Sequence, residues 1–179
     1  MIYYTSDIHF SDEKIRRVCN RPFDSVGSMN EASINKWNGK ISAEDTVYIL
    51  GDIFPCDGSN ADEVTDLIKC LNGNKILIVG NHDEMFIPLV KRSGLFQDIM
   101  HIASIFDGGR EVVLCHYPMM SWQNDDAGSI HLYGHIHNKT LPEIGEYYVG
   151  HKKSMAFNVG LDVRSFVPLS LDELLEGRN

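Results

Sequence analysis

With 179 residues, 43% hydrophobic and 23% charged, the chain has the make-up of a single globular domain, residues 1–179, long enough to bury a sizeable core. Its formal net charge of −9 argues against a broad non-specific nucleic-acid footprint, which needs a basic face. No apolar run approaches the roughly 20 residues that span a bilayer. The four cysteines form no Cys-x-x-Cys pair, which argues against a disulfide framework or a cysteine zinc site and leaves them as small buried hydrophobes.

The chain opens on an apolar run, Ile2 to Ser6, that leads to Asp7 and His9. No basic segment followed by an apolar signal core precedes it, so a cytoplasmic location is expected. Ser11 to Asn20 reads as a helix with Ser11 as N-cap, ended by Asn20-Arg21-Pro22. A second helix is expected from about Ser28 to Trp37, stopped at Asn38-Gly39. Arg16, Arg17 and Arg21 read as solvated surface arginines, with phosphate binding as the alternative. A strand over Val47 to Leu50 passes through Gly51 to Asp52, and Pro55 to Asn60 forms a loop. The helix Ala61 to Leu71 then leads into the strand Ile76 to Val79, a βαβ unit whose two strands run parallel.

That strand exits through Gly80, which tolerates backbone angles other residues avoid, into Asn81, His82 and Asp83. A short helix over residues 87–92 ends at Gly94. Strands over residues 99–106 and Glu111 to Cys115 flank the hairpin signal Asp107-Gly108-Gly109, and the second delivers His116. Further strands are expected at Ile130 to Tyr133, which leads through Gly134 to His135 and His137, at Glu146 to Val149 and at Met155 to Val159. Ser170 and Glu173 form a capping box for a last helix. The first half is thus rich in βαβ units and the second in hairpins. Two mixed sheets packed face to face, with helices outside, reconcile them.

Five apolar runs therefore end in Asp, Asn or His, and in open α/β sheets the carboxyl ends of strands are where ligands bind. Asp7, His9, Asp52, Asn81, His82, His116, His135 and His137 form the candidate group. Imidazole and carboxylate without thiolate suit manganese, iron, zinc or nickel. They are too many for one tetrahedral ion, but two ions roughly 3.5–4 Å apart that share a carboxylate use them all. Read as extended segments, Asp-x-His and His-x-His each turn both side chains to one face. Such a pair of ions activates water and clamps a phosphoryl group, and a histidine that binds no metal can protonate the leaving oxygen.

Asp7-Ile8-His9, Gly51-Asp52, Gly80-Asn81-His82-Asp83, His116 and Gly134-His135-Ile136-His137 resemble, in order, the five blocks of the calcineurin-like metallophosphoesterases. Cys19-Asn20-Arg21-Pro22-Phe23 and His116-Tyr117-Pro118 are most similar to the small bacterial and phage members. The resemblance implies the metallo-dependent phosphatase fold, a pair of mixed sheets flanked by helices in an α/β/β/α sandwich. It implies Asp7, His9 and His137 on one ion, Asn81, His116 and His135 on the other, Asp52 bridging them, and His82 as the acid that protonates the leaving group. Manganese is the expected metal. Many relatives carry a second Asp three residues after the bridging one, where this chain has Pro55, so another group must orient His82. The Arg-Gly of the serine/threonine protein phosphatases is also missing.

A phosphomonoesterase or phosphodiesterase acting on a small or nucleotide-like phosphorylated substrate, away from membranes, is the leading reading. A nuclease on longer nucleic acid is disfavoured by the charge, although Arg16, Arg17, Arg21, Lys91 and Arg92 offer a local basic groove. A non-catalytic scaffold of the same fold would not need His82 or all seven ligands. His101, His131 and His151 read as structural or surface residues, Trp37 and Trp122 as packing, and Asn158 and Asp162 as a turn or the rim of the site.

Overall fold

The apolar runs alternate between two cores. A computed structural model describes residues 1–139 and 155–176; the strand expected at Glu146 to Val149, and His151, lie outside them. The described elements are β1 (Ile2–Thr5), α1 (Glu13–Val18), α2 (Val26–Asn38), β2 (Thr46–Ile49), α3 (Ala61–Lys69), β3 (Asn74–Ile78), α4 (Ile87–Ser93), β4 (Asp98–Met100), β5 (Ile102–Asp107), β6 (Arg110–Cys115), β7 (Ile130–Tyr133), β8 (Met155–Asn158) and α5 (Leu171–Glu176). They build two four-stranded sheets, β1-β2-β3-β4 and β5-β6-β7-β8. The first sheet is parallel throughout its strands, with an antiparallel bridge from Leu169 to Tyr4 at its edge. In the second, β5 and β6 form the antiparallel hairpin, while β6, β7 and β8 run parallel.

Side chains two apart share a face of a strand. Tyr3, Val47, Ile49 and Leu77 therefore join Trp37, Val64, Ile68 and Val90 in a core beneath the helices. Their neighbours Tyr4, Leu50 and Ile78 meet Val112, Leu114, Ile130, Leu132 and Phe157 in a second core, between the sheets, closed by Leu171 and Leu174 of α5. Leu114 is fully buried there, so Leu114→Ala should cost about 2–5 kcal/mol of stability, read as a lowered urea midpoint at unchanged slope.

Three boundaries differ from expectation. Helix α1 is capped by Asp12, whose Oδ1 accepts the Ile15 N–H at 2.8 Å. Ser11 instead takes a positive φ of 58° and reaches across to Asn30 and Glu63. Helix α2 begins at Val26 because Ser25 and Ser28 form the capping box. The run expected as one strand over 99–106 breaks at His101: Met100 O accepts the Val79 N–H at 2.7 Å in one sheet, and Ile102 pairs with Cys115 in the other. Ser170 and Glu173 do form the expected box, with Ser170 N–H to Glu173 Oε2 at 2.8 Å and Glu173 N–H to Ser170 Oγ at 3.3 Å. All four cysteines are free, and Cys70 is exposed rather than buried.

Candidate metal centre

The parallel strands of both sheets deliver their polar exits to one place. Backbone pairing continues past the strand ends: Asp7 N–H to Gly51 O at 3.0 Å, His9 N–H to Asp52 O at 2.9 Å, and Phe10 N–H to Ile53 O at 2.9 Å. The second sheet joins at Asp7, whose carboxylate accepts the His135 N–H at 3.0 Å. Glycine permits this crowding. A Cβ on Gly80 would collide with the Asp52 carboxylate, and one on Gly134 with Ser6 Oγ and Asp7.

The segments carrying these side chains are not extended. Asp7, His9, Asp52, His135 and His137 have φ of 58°, 50°, 56°, 70° and 52°, in the left-handed region. Each such residue costs on the order of 1 kcal/mol or more, though Asp and His tolerate the region better than most. Strain concentrated on five of seven expected ligands is held by the lacing around them, as at functional sites elsewhere. It also sends the two histidines of His135-Ile136-His137 to different groups. Asp7, His9 and His137 gather their ligand atoms within 4.8 Å of one another, and Asp52, His116 and His135 do the same.

Between the groups lies Asp52. Its Oδ2 is 3.7 Å from His9 Nε2 and 3.4 Å from His116 Nε2. Asn81 Oδ1 sits 3.1 Å from His116 Nε2 and 3.0 Å from His135 Nδ1. With metal–ligand bonds of about 2.1 Å, neighbouring ligand atoms lie about 3.0 Å apart around an octahedral ion and about 3.4 Å apart around a tetrahedral one. The spacings of 3.0, 3.1 and 3.4 Å fit donors that share a cation, and the 3.7 Å spacing from His9 to Asp52 is wider. His9 Nε2 is buried with no hydrogen-bond partner, one of two such side-chain atoms among the described residues. A buried ring nitrogen of that kind calls for a partner, and a cation would supply one.

The far nitrogen of each buried imidazole is committed elsewhere. His116 Nδ1 contacts Leu50 O at 2.7 Å, His137 Nδ1 contacts Asp162 Oδ2 at 2.8 Å, and His9 Nδ1 faces Asp12 Oδ2 at 3.5 Å. Such partners orient metal-binding histidines and leave Nε2 toward the ion. Asp12 and the Leu50 carbonyl carry no sign of this role in the sequence, whereas Asp162, expected in a turn or at the rim of the site, stands directly behind His137. Arg21, expected at the surface, is buried and forms a bidentate pair with Asp162 at 2.8 and 3.0 Å. Arg16 and Arg17 both pair with Glu13, on the surface.

Burial works to raise the Asp52 carboxyl, but the hydrogen bond and charge of His116, with His9 adding to them, hold it down at about 2. His116 is lowered by burial and raised further by Asp52, so its net shift is upward. Burial is the largest single influence on His137 and lowers it, but the hydrogen bonds to Asp162 and Cys19 and the charge of Asp7 together push it up to about 10. Asp83 is fully buried and accepts backbone N–H groups of Asp52, Ile53 and Gly80 at 2.8, 2.9 and 3.0 Å, tying the exits of β2 and β3 together. Burial, and then the charge of Asp52, push it up to about 6.

His82 stands half-buried beside the group. Its backbone N–H donates to Asp52 Oδ1 at 2.9 Å and its ring lies edge-on to His9 at 5.5 Å, but no hydrogen bond reaches the ring among the described residues. Buried Asp7, His9, Asp52 and His116 form the floor, while Asn81 and His135 are exposed and mark the open side. The loop after His116 is pinned by His131. Burial pushes His131 down to about 4, so it is neutral, with Nδ1 on Val113 O at 3.1 Å and Nε2 accepting the Met119 N–H at 3.2 Å. His131 is thus structural, as expected, and His101 is exposed, 3.5 Å from Glu84. Trp37 and Trp122 are buried in packing roles.

Comparison with known proteins gives the same frame. The chain is 34% identical over 176 residues to the uncharacterized protein MJ1445 of Methanocaldococcus jannaschii, covering 98% of this chain and 89% of that one. It is 28% identical over 165 residues to the gene 66 protein of Mycobacterium phage D29, covering 78% of this chain and 80% of the phage protein. A protein of unknown function from Aquifex aeolicus, AQ665, shares the fold with a TM-score of 0.75 at 23% identity, over 98% of both chains. The model of the calcineurin-like phosphoesterases matches residues 1–163, and the chain belongs to that family of hydrolases that act with divalent metal ions.

Proposed function

We propose that this chain hydrolyses a phosphomonoester or phosphodiester bond in a small or nucleotide-like substrate, using two divalent cations. The observation that carries the proposal is Asp52 Oδ2, placed between His9 Nε2 and His116 Nε2 at 3.7 and 3.4 Å, where one carboxylate oxygen can serve both groups of ligands. Asp7, His9 and His137 would hold one cation and Asn81, His116 and His135 the other. Manganese is the expected occupant, and iron, zinc or nickel suit the same donors. When bound, the cations supply Lewis acidity at the phosphoryl oxygens and bring the pKa of water toward neutrality.

The chain's own side chains do the rest. Asn81 turns Oδ1 toward His116 and His135, leaving its amide hydrogens for a phosphoryl oxygen on the exposed side. His82 delivers a proton to the leaving oxygen. Its backbone bond to Asp52 keeps it at the edge of the site, beside that exposed side.

Arg16 and Arg17 share the single carboxylate of Glu13, Arg21 is buried on Asp162, and Lys91 and Arg92 lie apart in the last turn of α4, so among the described residues these five do not support the basic groove that longer nucleic acid needs. A small substrate is favoured accordingly. No helix among the described residues is long and apolar enough to cross a membrane. Four free cysteines agree with a reducing, cytoplasmic setting as part of the same proposal.

The test is hydrolysis of p-nitrophenyl phosphate and bis-p-nitrophenyl phosphate by metal-stripped protein re-supplied with Mn²⁺. Turnover should return as two ions per chain are taken up, and the ratio of the two substrates separates monoesterase from diesterase. Two ions bound without turnover, whichever of the four metals is used, would move the chain to the scaffold reading or to an enzyme of narrow specificity. Failure to bind any would end the metal-centre reading itself.

A further inference from the structure

One buried guanidinium stands behind two of the residues assigned to a single cation. Arg21 donates through Nη2 to Asp7 O at 2.6 Å and through Nη1 to Ile8 O at 2.8 Å. The same group grips Asp162 through Nε at 2.8 Å and Nη2 at 3.0 Å, and Asp162 Oδ2 contacts His137 Nδ1 at 2.8 Å. Arg21 and the Asp162 side chain are essentially inaccessible, and the Phe166 ring lies 5.6 Å beneath the guanidinium. A charge pair this deep costs desolvation, and replacing one with apolar residues is often neutral or stabilising. Stability alone therefore does not explain its placement. Its geometry does: the planar fork links the Asp7 turn to the imidazole of His137, residues 130 positions apart in the chain, and nothing comparable backs Asn81 or His135 among the described residues.

We propose that Arg21 and Asp162 are positioning residues for one cation of the pair, the one assigned to Asp7, His9 and His137, and reach the other only indirectly, through the His135 N–H that the Asp7 carboxylate accepts. The proposal rests on the two-cation reading. Asp162 fixes the His137 ring with Nδ1–H outward and Nε2 toward the ion. Arg21 fixes Asp162 and, independently, the left-handed turn that aims the Asp7 carboxylate. Metal-ligand partners of this kind typically change affinity 10- to 100-fold. The consequence is an asymmetric loss: one ion weakened, one retained.

The experiment is calorimetric titration of Mn²⁺ into metal-stripped wild type, Asp162→Asn and Arg21→Lys, with electron paramagnetic resonance of the loaded samples. Wild type should take up two ions and show the spectrum of a coupled manganese pair. Each variant should keep one site within a few-fold of wild-type affinity, lose about 10- to 100-fold at the other, and show an isolated six-line manganese signal at concentrations that fill the wild-type pair. Two unchanged sites, or equal weakening of both, would overturn the proposal. If wild type itself fails to bind two ions, the two-cation reading fails instead. Should the variants not fold, histidine-labelled wild type loaded with Zn²⁺ decides by nitrogen NMR: His137 metal-bound through Nε2 with a retained Nδ1 proton supports the assignment, and binding through Nδ1 overturns it.

Discussion

Asp52→Asn should lower kcat/KM for p-nitrophenyl phosphate in Mn²⁺ by on the order of 10³-fold or more, about 4 kcal/mol of transition-state stabilisation, without unfolding the protein. The two carboxylate oxygens of Asp52 have different duties. Oδ1 accepts the His82 N–H at 2.9 Å, a duty only an oxygen can perform. An asparagine must therefore turn its oxygen to that position and its NH2 to the position of Oδ2, between His9 Nε2 and His116 Nε2. An amide nitrogen there has no lone pair to offer a cation, and the negative charge is gone. The fold should survive, because the links from Asp83 to the Asp52 and Ile53 backbone do not involve the substituted side chain. Metal content, circular dichroism and the rate together check this. A variant that retains more than a tenth of wild-type activity would place the shared ligand elsewhere.

The part of this site that was legible in the sequence is the part that strand geometry imposes. Apolar runs such as Val47 to Leu50 declare themselves as strands, and a glycine before Asp52 or Asn81 marks where the backbone must turn close to its neighbour. The partners behind the ligands were legible only in part: Asp162 reads as a turn or the rim of the site, with nothing to tie it to Arg21. Arg21 and Asp162 lie 141 residues apart, and each alone has the composition of a surface residue. Nothing in either stretch announces the other. The break at His101 was hidden for a different reason, since residues on both sides continue the strand pattern and only the hydrogen-bond partners change sheets. The His-x-His segment failed as an extended reading because both histidines are left-handed, and the His135 N–H is held by the Asp7 carboxylate, a contact no local pattern announces.

His82→Asn should separate leaving groups. With p-nitrophenyl esters, whose leaving oxygen departs without help, the loss should stay within about tenfold; with phenyl or alkyl esters it should reach about 10²-fold, the lower end of what general acid catalysis contributes. The lower end follows from the surroundings of the ring. Pro55 stands where many relatives place a carboxylate, and no hydrogen bond orients the His82 imidazole among the described residues. Asp12 is committed instead to the Cys56 N–H at 2.7 Å and to His9. Burial is the largest influence on His82 and lowers its pKa below the usual 6.5, against the opposing charges of Asp52 and Asp12. The sign then follows. The protonated form needed by a poor leaving group disappears as pH rises through a value below 6.5, so wild-type kcat/KM for alkyl esters should decline from there relative to that for p-nitrophenyl esters. In the variant the ratio between the two substrates should be flat with pH. Equal losses for both leaving groups would mean that His82 binds the phosphoryl group rather than protonating the oxygen that leaves it.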